Sequence, residues 1–174
     1  PNSFYEEEYL EKGHSYVATL INNIKIDFAY AIEMSIENID YEYTYWVDTQ
    51  LEIIDKKSNK PIYNPTEVLV EKTTKKQNSS EKLSINNSID IEYDKYNLIA
   101  SQFNEVYQLK DTANNLIVSM HVDVTSKSDE FNDNTNNSHI IKLVIPLTQQ
   151  TIDVTLSTSV PNSKSKVLAC KNIE

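Results

Sequence analysis

Alternation with period two dominates the chain. From Ser15 onward, YVATLI and IKIDFAYAIEM place apolar side chains on every second residue. Ile24, Ile26, Phe28, Tyr30 and Ile32 share one face, and Asp27 and Glu33 lie on the other. That is the pattern of a strand with one buried side. The longest such run covers residues 41–54. Tyr41, Tyr43, Tyr45, Val47, Leu51 and Ile53 point one way, while Glu42, Thr44, Asp48, Gln50 and Glu52 point the other, with Trp46 among them. DKKSNKP predicts a turn and PTEVLVEKT the returning strand, with Pro61 and Pro65 marking an irregular start. KKQNSSEK reads as a polar hairpin tip, and LSINNSIDIEY as a further strand with Leu83, Ile85, Ile89 and Ile91 on one face.

The period then changes. Tyr96, Ile99, Phe103, Val106 and Tyr107 recur at helical spacing, which predicts one amphipathic helix over about 95–109 with Asp94 as its N-cap. NLIVSMHVDV returns to alternation, with Leu116, Val118, Met120, Val122 and Val124 inward, and HIIKLVIPL answers with Ile141, Leu143, Ile145 and Leu147. Pairing Val122 with Ile141 keeps every apolar partner on one face, as period two requires. TIDVTLSTSV supplies one more strand, with Ile152, Val154 and Leu156 together. Strand after strand with one-sided burial makes this a mainly β protein. The expected fold is an antiparallel β-sandwich, immunoglobulin-like or another Greek key, with a single helix. Residues 1–14 read as a short helix or an extended lead-in, residues 15–159 as one sandwich domain, and residues 160–174 as a polar tail or linker.

Composition narrows the picture. A chain of 174 residues buries about 70% of its unfolded surface on folding, so no metal or disulfide framework is needed. A net charge of −10 argues against nucleic acid and against adsorption to anionic lipid, both of which call for clustered Lys and Arg. Cys170 is the single cysteine, which excludes an intramolecular disulfide and any four-cysteine zinc site. With one glycine, neither a dinucleotide fingerprint, nor a P-loop, nor a G-x-S-x-G elbow can be written. Turns with positive φ then fall to Asn and Asp. Asn22-Asn23, Ser58-Asn59, Asn86-Asn87, Asn114-Asn115 and Asn136-Asn137 are the expected corners.

Three stretches carry candidate chemistry. His121 and Asp123 share the outward face of one strand, and His139 begins the next, so the three could converge on a surface metal, although solvated side chains are the plainer reading. The tip DEFNDNT offers oxygen donors from Asp129 to Asn134 but lacks the spacing and glycine of a calcium loop. Trp46 stands between Thr44 and Asp48 on the polar face. It is either a stacking platform for a sugar or a partner's side chain, or it is covered by the helix or the N-terminal segment. Coverage is the favoured expectation. No sequence feature calls for a cofactor or marks a catalytic residue.

FYEEEYLEKG, DFAYAIEMS, YEYTYWV with LEIIDKKS, IDIEYDKYNLIASQF, and LIVSMHVDV with IPLTQQTIDV together resemble an uncharacterised family. Its members are membrane-anchored proteins of low-GC Gram-positive bacteria, with relatives encoded near signal peptidases. The resemblance implies an extracytoplasmic β-domain beside a membrane helix. It implies no reaction and transfers no functional residue. The expectation is a non-enzymatic cell-surface domain, held at the membrane only through segments outside this chain. Its partner would be a protein or a cell-wall glycan, and not a nucleic acid. A carbohydrate-binding module built on Trp46 and a surface-fibre subunit assembled by strand addition are the alternatives, with a hydrolase using an unrecognised carboxylate pair ranked last.

Overall fold

A computed structural model describes residues 9–10, 15–33, 38–80, 82–129, 135–153, 155–158 and 167–172. The alternating runs become strands. In chain order they are β1 (Tyr9–Leu10), β2 (Tyr16–Val17), β3 (Asn23–Glu33), β4 (Ile39–Asp55), β5 (Lys60–Tyr63), β6 (Thr66–Ser80) and β7 (Lys82–Glu92). The helix α1 (Tyr93–Val106) follows, then β8 (Thr112–Lys127), β9 (Thr135–Pro146), β10 (Thr151–Ile152), β11 (Thr155–Thr158) and β12 (Val167–Asn172). The larger sheet runs β11-β9-β8-β4, with β5 and β6 both on the far side of β4. The smaller runs β1-β12-β3-β7, and β10 pairs with β2. All pairings are antiparallel, and the two sheets pack as a β-sandwich.

The inner rows are those the alternation predicts. Ile24, Ile26 and Phe28 of β3, Leu83 and Ile91 of β7, Val47 and Ile53 of β4, and Val118 and Met120 of β8 are all buried in one cluster. Burying such a side chain is worth ~1.5–3 kcal/mol, so a one-residue slip that turned a whole row outward would cost more than a domain's stability. Helix α1 closes one end, burying Tyr93, Tyr96 and Ala100, and carries the chain from β7 in the smaller sheet to β8 in the larger. Among the described residues, no helix is long and apolar enough to cross a membrane.

Several local expectations are corrected. Of KKQNSSEK, residues 75–80 and Lys82 are strand and not a hairpin tip: β6 continues to Ser80, and β7 begins at Lys82 in the other sheet, with Glu81 outside the described residues. YVATLI is strand only at Tyr16–Val17 before a 3-10 turn over Ala18–Leu20. TIDVTLSTSV splits into β10 and β11, which join different partners. In the segment expected as a tail, Val167–Asn172 pairs with β3, whose edge would otherwise leave backbone donors and acceptors unmatched. Of the lead-in, Tyr9–Leu10 pairs with β12, and residues 1–8 and 11–14 lie outside the described residues.

The helix starts two residues earlier than predicted. Glu92 is its N-cap without a side-chain cap bond, and Asp94 sits inside the first turn, where its charge suits the positive end of the helix. At the other end Leu109 N–H donates to Asn104 O at 2.8 Å and Gln108 N–H to Glu105 O at 3.1 Å. That is a Schellman ending with Gln108, at φ 53°, in the place glycine usually takes. Positive φ also occurs at Asn38, Asn59 and Thr148, so Asn59 is the one expected corner among them. Asn86-Asn87, Asn114-Asn115 and Asn136-Asn137 lie within strands.

Candidate functional site

The outer face of the larger sheet gathers the aromatic and titratable side chains. Strand β4 contributes Thr44, Trp46 and Asp48, one row outward by period two. The β4–β8 register sets Trp46 directly opposite His121 and Asp48 opposite Ser119. His121 therefore has Asp48 as its diagonal neighbour, within reach of a long side chain. The imidazole lies flat on the indole, with ring centroids 4.5 Å apart and 2° between planes. Its Nε2–H donates to Asp48 Oδ2 at 2.8 Å. The side chains of His121 and Asp48 are only 19% and 25% exposed. The carboxylate thus fixes the plane of the ring that braces Trp46.

A cation comes from the strand on the other side. The β4–β6 register shifts opposite Trp46, between Tyr45 and Val47. There Lys72 holds its Nζ 4.3 Å from the centre of the indole, a cation–π contact worth ~0.5–1 kcal/mol at an exposed site. Trp46 is half-buried, and among the described residues its ring contacts come from β8 and β6 within its own sheet. Among the described residues these cross-strand neighbours, and not α1, supply the cover, and residues 1–8 and 11–14 of the N-terminal segment lie outside the described residues. Thr44 Oγ1 lies 2.7 Å from Thr74 Oγ1, which ties it to β6 rather than to the indole. Trp46, Asp48 and Thr44 therefore share a face, and His121 joins the first two.

The metal trio does not assemble. The pairing of Val122 with Ile141 is two residues out: Val122 faces His139 and Met120 faces Ile141. Period two settles which face a residue takes, but a two-residue shift preserves the face and changes the partner. His139 consequently lies on the inner side, its ring 5.3 Å from that of Tyr30 in the opposing sheet. His121 and Asp123 point outward, and Asp123 accepts a hydrogen bond from Ser138 Oγ at 2.7 Å. Among the described residues, no group of three His, Cys, Asp or Glu could hold a metal. Of the acidic tip, residues 130–134 lie outside the described residues.

No family model, curated protein or solved structure matches this chain.

A hollow of about 270 Å³ opens between α1 and the start of β6. Leu51, Tyr63, Pro65 and Ile99 give it apolar walls. At its polar end Tyr96 Oη donates to Glu67 Oε2 at 2.8 Å and lies 3.3 Å from Thr49 Oγ1. Burial pushes the Tyr96 phenol up; the Thr49 contact opposes this, and the Glu67 carboxylate adds to it. Sequence reasoning passed over this trio. The available signal was Thr49, a hydroxyl in the inward row between Val47 and Leu51, 1% exposed. A polar residue in a core row needs a partner, and Tyr96 and Glu67 supply it.

Proposed function

We propose that the protein is a non-enzymatic, cell-surface binding domain of the bacterial envelope, and that it recognises its partner through the outer face around Trp46. The observation that carries this reading is the braced indole. A large aromatic side chain sits on the solvent side of a rigid sheet, with its orientation fixed by His121 and Asp48. Rigid tryptophan anchors supply much of the energy of protein–protein contacts and lose little entropy on binding. Lys72 and Asp48 add one cation and one anion at its rim, which suits a polar partner surface. The extracytoplasmic setting rests on the resemblance described above.

A protein partner is favoured over a stacked sugar because His121 and Lys72 already lie against the indole. A sugar ring could stack only by displacing the Lys72 ammonium. Binding of wild type and Trp46→Ala to purified cell-wall sacculi, and to the same sacculi stripped of protein, tests both readings. Loss of binding in Trp46→Ala on intact sacculi alone supports a protein partner. Equal loss on stripped sacculi, with a saturable change in Trp46 emission on adding soluble glycans, supports the sugar. Binding that survives Trp46→Ala on both removes this face from the function.

A further inference from the structure

The two long outer strands on the β6–β7 flank are built in opposite ways. Strand β6 pairs with β4 through three register shifts and carries Lys72, Lys75 and Lys76. Bulges and lysines are the means by which edge strands avoid pairing with another chain. Strand β7 has this protection only at its first residue, Lys82, whose carbonyl accepts a hydrogen bond from Gln77 Nε2 of β6 at 3.0 Å. It ends the smaller sheet among the described residues, pairs with β3 over its full length without a register shift, and holds neither proline nor an interior lysine.

We propose that β7 is a self-association edge, and that two copies of the chain pair their β7 strands antiparallel about a two-fold axis through Asn87. The sequence KLSINNSIDIE is close to palindromic in character about that residue. In this register Lys82 faces the partner's Glu92, Ser84 the partner's Asp90, and Ile85 the partner's Ile89. Apolar positions meet apolar ones, polar meet polar, and the charged ends meet opposite charges twice, once at each end of the pair. Slipping by two residues sets Asn87 against Ile85 or Ile89. Slipping by one sets the buried Leu83 against the partner's Glu92, or Ile91 against the partner's Lys82. The centred register alone matches throughout.

Asn87 gains a role in this arrangement. It is the polar member of the inner row formed by Leu83, Ile85, Ile89 and Ile91, and it is half-buried. On the two-fold axis its amide meets its own copy, and an amide is both donor and acceptor. Such a residue fixes register, as a single polar residue does in other symmetric interfaces. The contact is isologous, so it closes as a dimer and does not propagate into a fibre. Because the axis is perpendicular to the sheets, both Trp46 faces point the same way, and the dimer is bivalent toward one surface.

Sedimentation equilibrium over a concentration series tests the pairing, with Ser84→Lys and Ser84→Glu as the variants. Ser84 is exposed and lies opposite Ala31 within its own sheet, so neither variant meets a charge directly across from it in its own chain. Across the two-fold axis each meets the partner's Asp90. The wild type is expected to move from 20.0 kDa toward twice that mass as concentration rises. Two cross-strand charge pairs per dimer predict that Ser84→Lys tightens and Ser84→Glu loosens association by roughly two- to thirty-fold. A mass that stays at that of one chain overturns the proposal. Association that both variants change alike, or not at all, overturns it as well.

Discussion

Two buried tyrosines make the domain sensitive to alkali, and the size of the effect follows from their surroundings. Tyr30 and Tyr93 are 3% and 1% exposed, and burial raises both phenols from 10.0 to about 12. Below pH 10 the folded and unfolded chains both keep these protons, so the full stability is present. Above it the unfolded chain releases its protons first, and stability falls until the folded phenols also titrate, near 12. At ~1.36 kcal/mol per pH unit the rise is worth ~2.7 kcal/mol for each ring. Solvent screening near the hydroxyls lowers that to roughly 1–2 kcal/mol each. The pair then accounts for about 2–4 kcal/mol, a large share of the ~5–15 kcal/mol of a typical domain. Urea unfolding at a series of pH values measures the slope, and Tyr30→Phe should flatten it by less than half, since burial also raises the Tyr41 and Tyr96 phenols. Tyr93→Phe should flatten it similarly, but with ~1 kcal/mol lost at neutral pH, because the Tyr93 hydroxyl donates to Pro146 O at 3.1 Å. Lysines titrate over the same range in both proteins and cancel in the difference. An unchanged slope in Tyr30→Phe, or complete phenolate absorbance for all 11 tyrosines while the fold persists at about pH 10.5, would refute the reasoning.

Gln108→Gly should stabilise the domain by about 1 kcal/mol, raising Tm by ~2–4 °C, since glycine takes the left-handed conformation without a Cβ penalty. Calorimetry checks it, and a lower Tm would contradict the Schellman ending. His121→Ala should shift Trp46 emission to the red and increase its quenching by acrylamide, because the imbricated ring is removed; unchanged emission would mean that the stack contributes no cover. Thr49→Val and Tyr96→Phe should each cost ~1 kcal/mol in chemical denaturation. The double variant should cost less than their sum, because both remove the same contact.

Much of the architecture is legible in the alternation. The inward faces of β3, β4, β7, β8 and β9 can be read from period two, because burial on one side is what the pattern encodes. Partners are harder. A shift of two residues leaves every face unchanged, so Val122 could be set against Ile141 when it faces His139, and the metal trio fell with that register. Polar residues in KKQNSSEK look like a turn, yet an exposed edge strand has the same composition. The packing of Trp46 was out of reach for a similar reason. His121 meets it only through the β4–β8 pairing, and nothing local in YEYTYWV names that partner. Thr49 was visible as an anomaly, but Glu67 and Tyr96 come from a strand edge and a helix that only the tertiary fold brings beside it.

The central position of β4 also governs how the chain can fold. One of its flanks is satisfied early by β6, its near neighbour in sequence, whereas the other waits for β8. Asp48 and His121 are 73 residues apart, and α1 must form between them. Closing so long a loop consumes chain entropy before any β8 contact repays it, which places this domain among slow-folding topologies. A nascent chain that has made β4 but not β8 carries the tyrosine-rich strand with one side unzipped. The lysines of β6 then guard the only other open flank of that hairpin, and they would keep the half-built sheet from pairing with its neighbours until synthesis reaches Lys127.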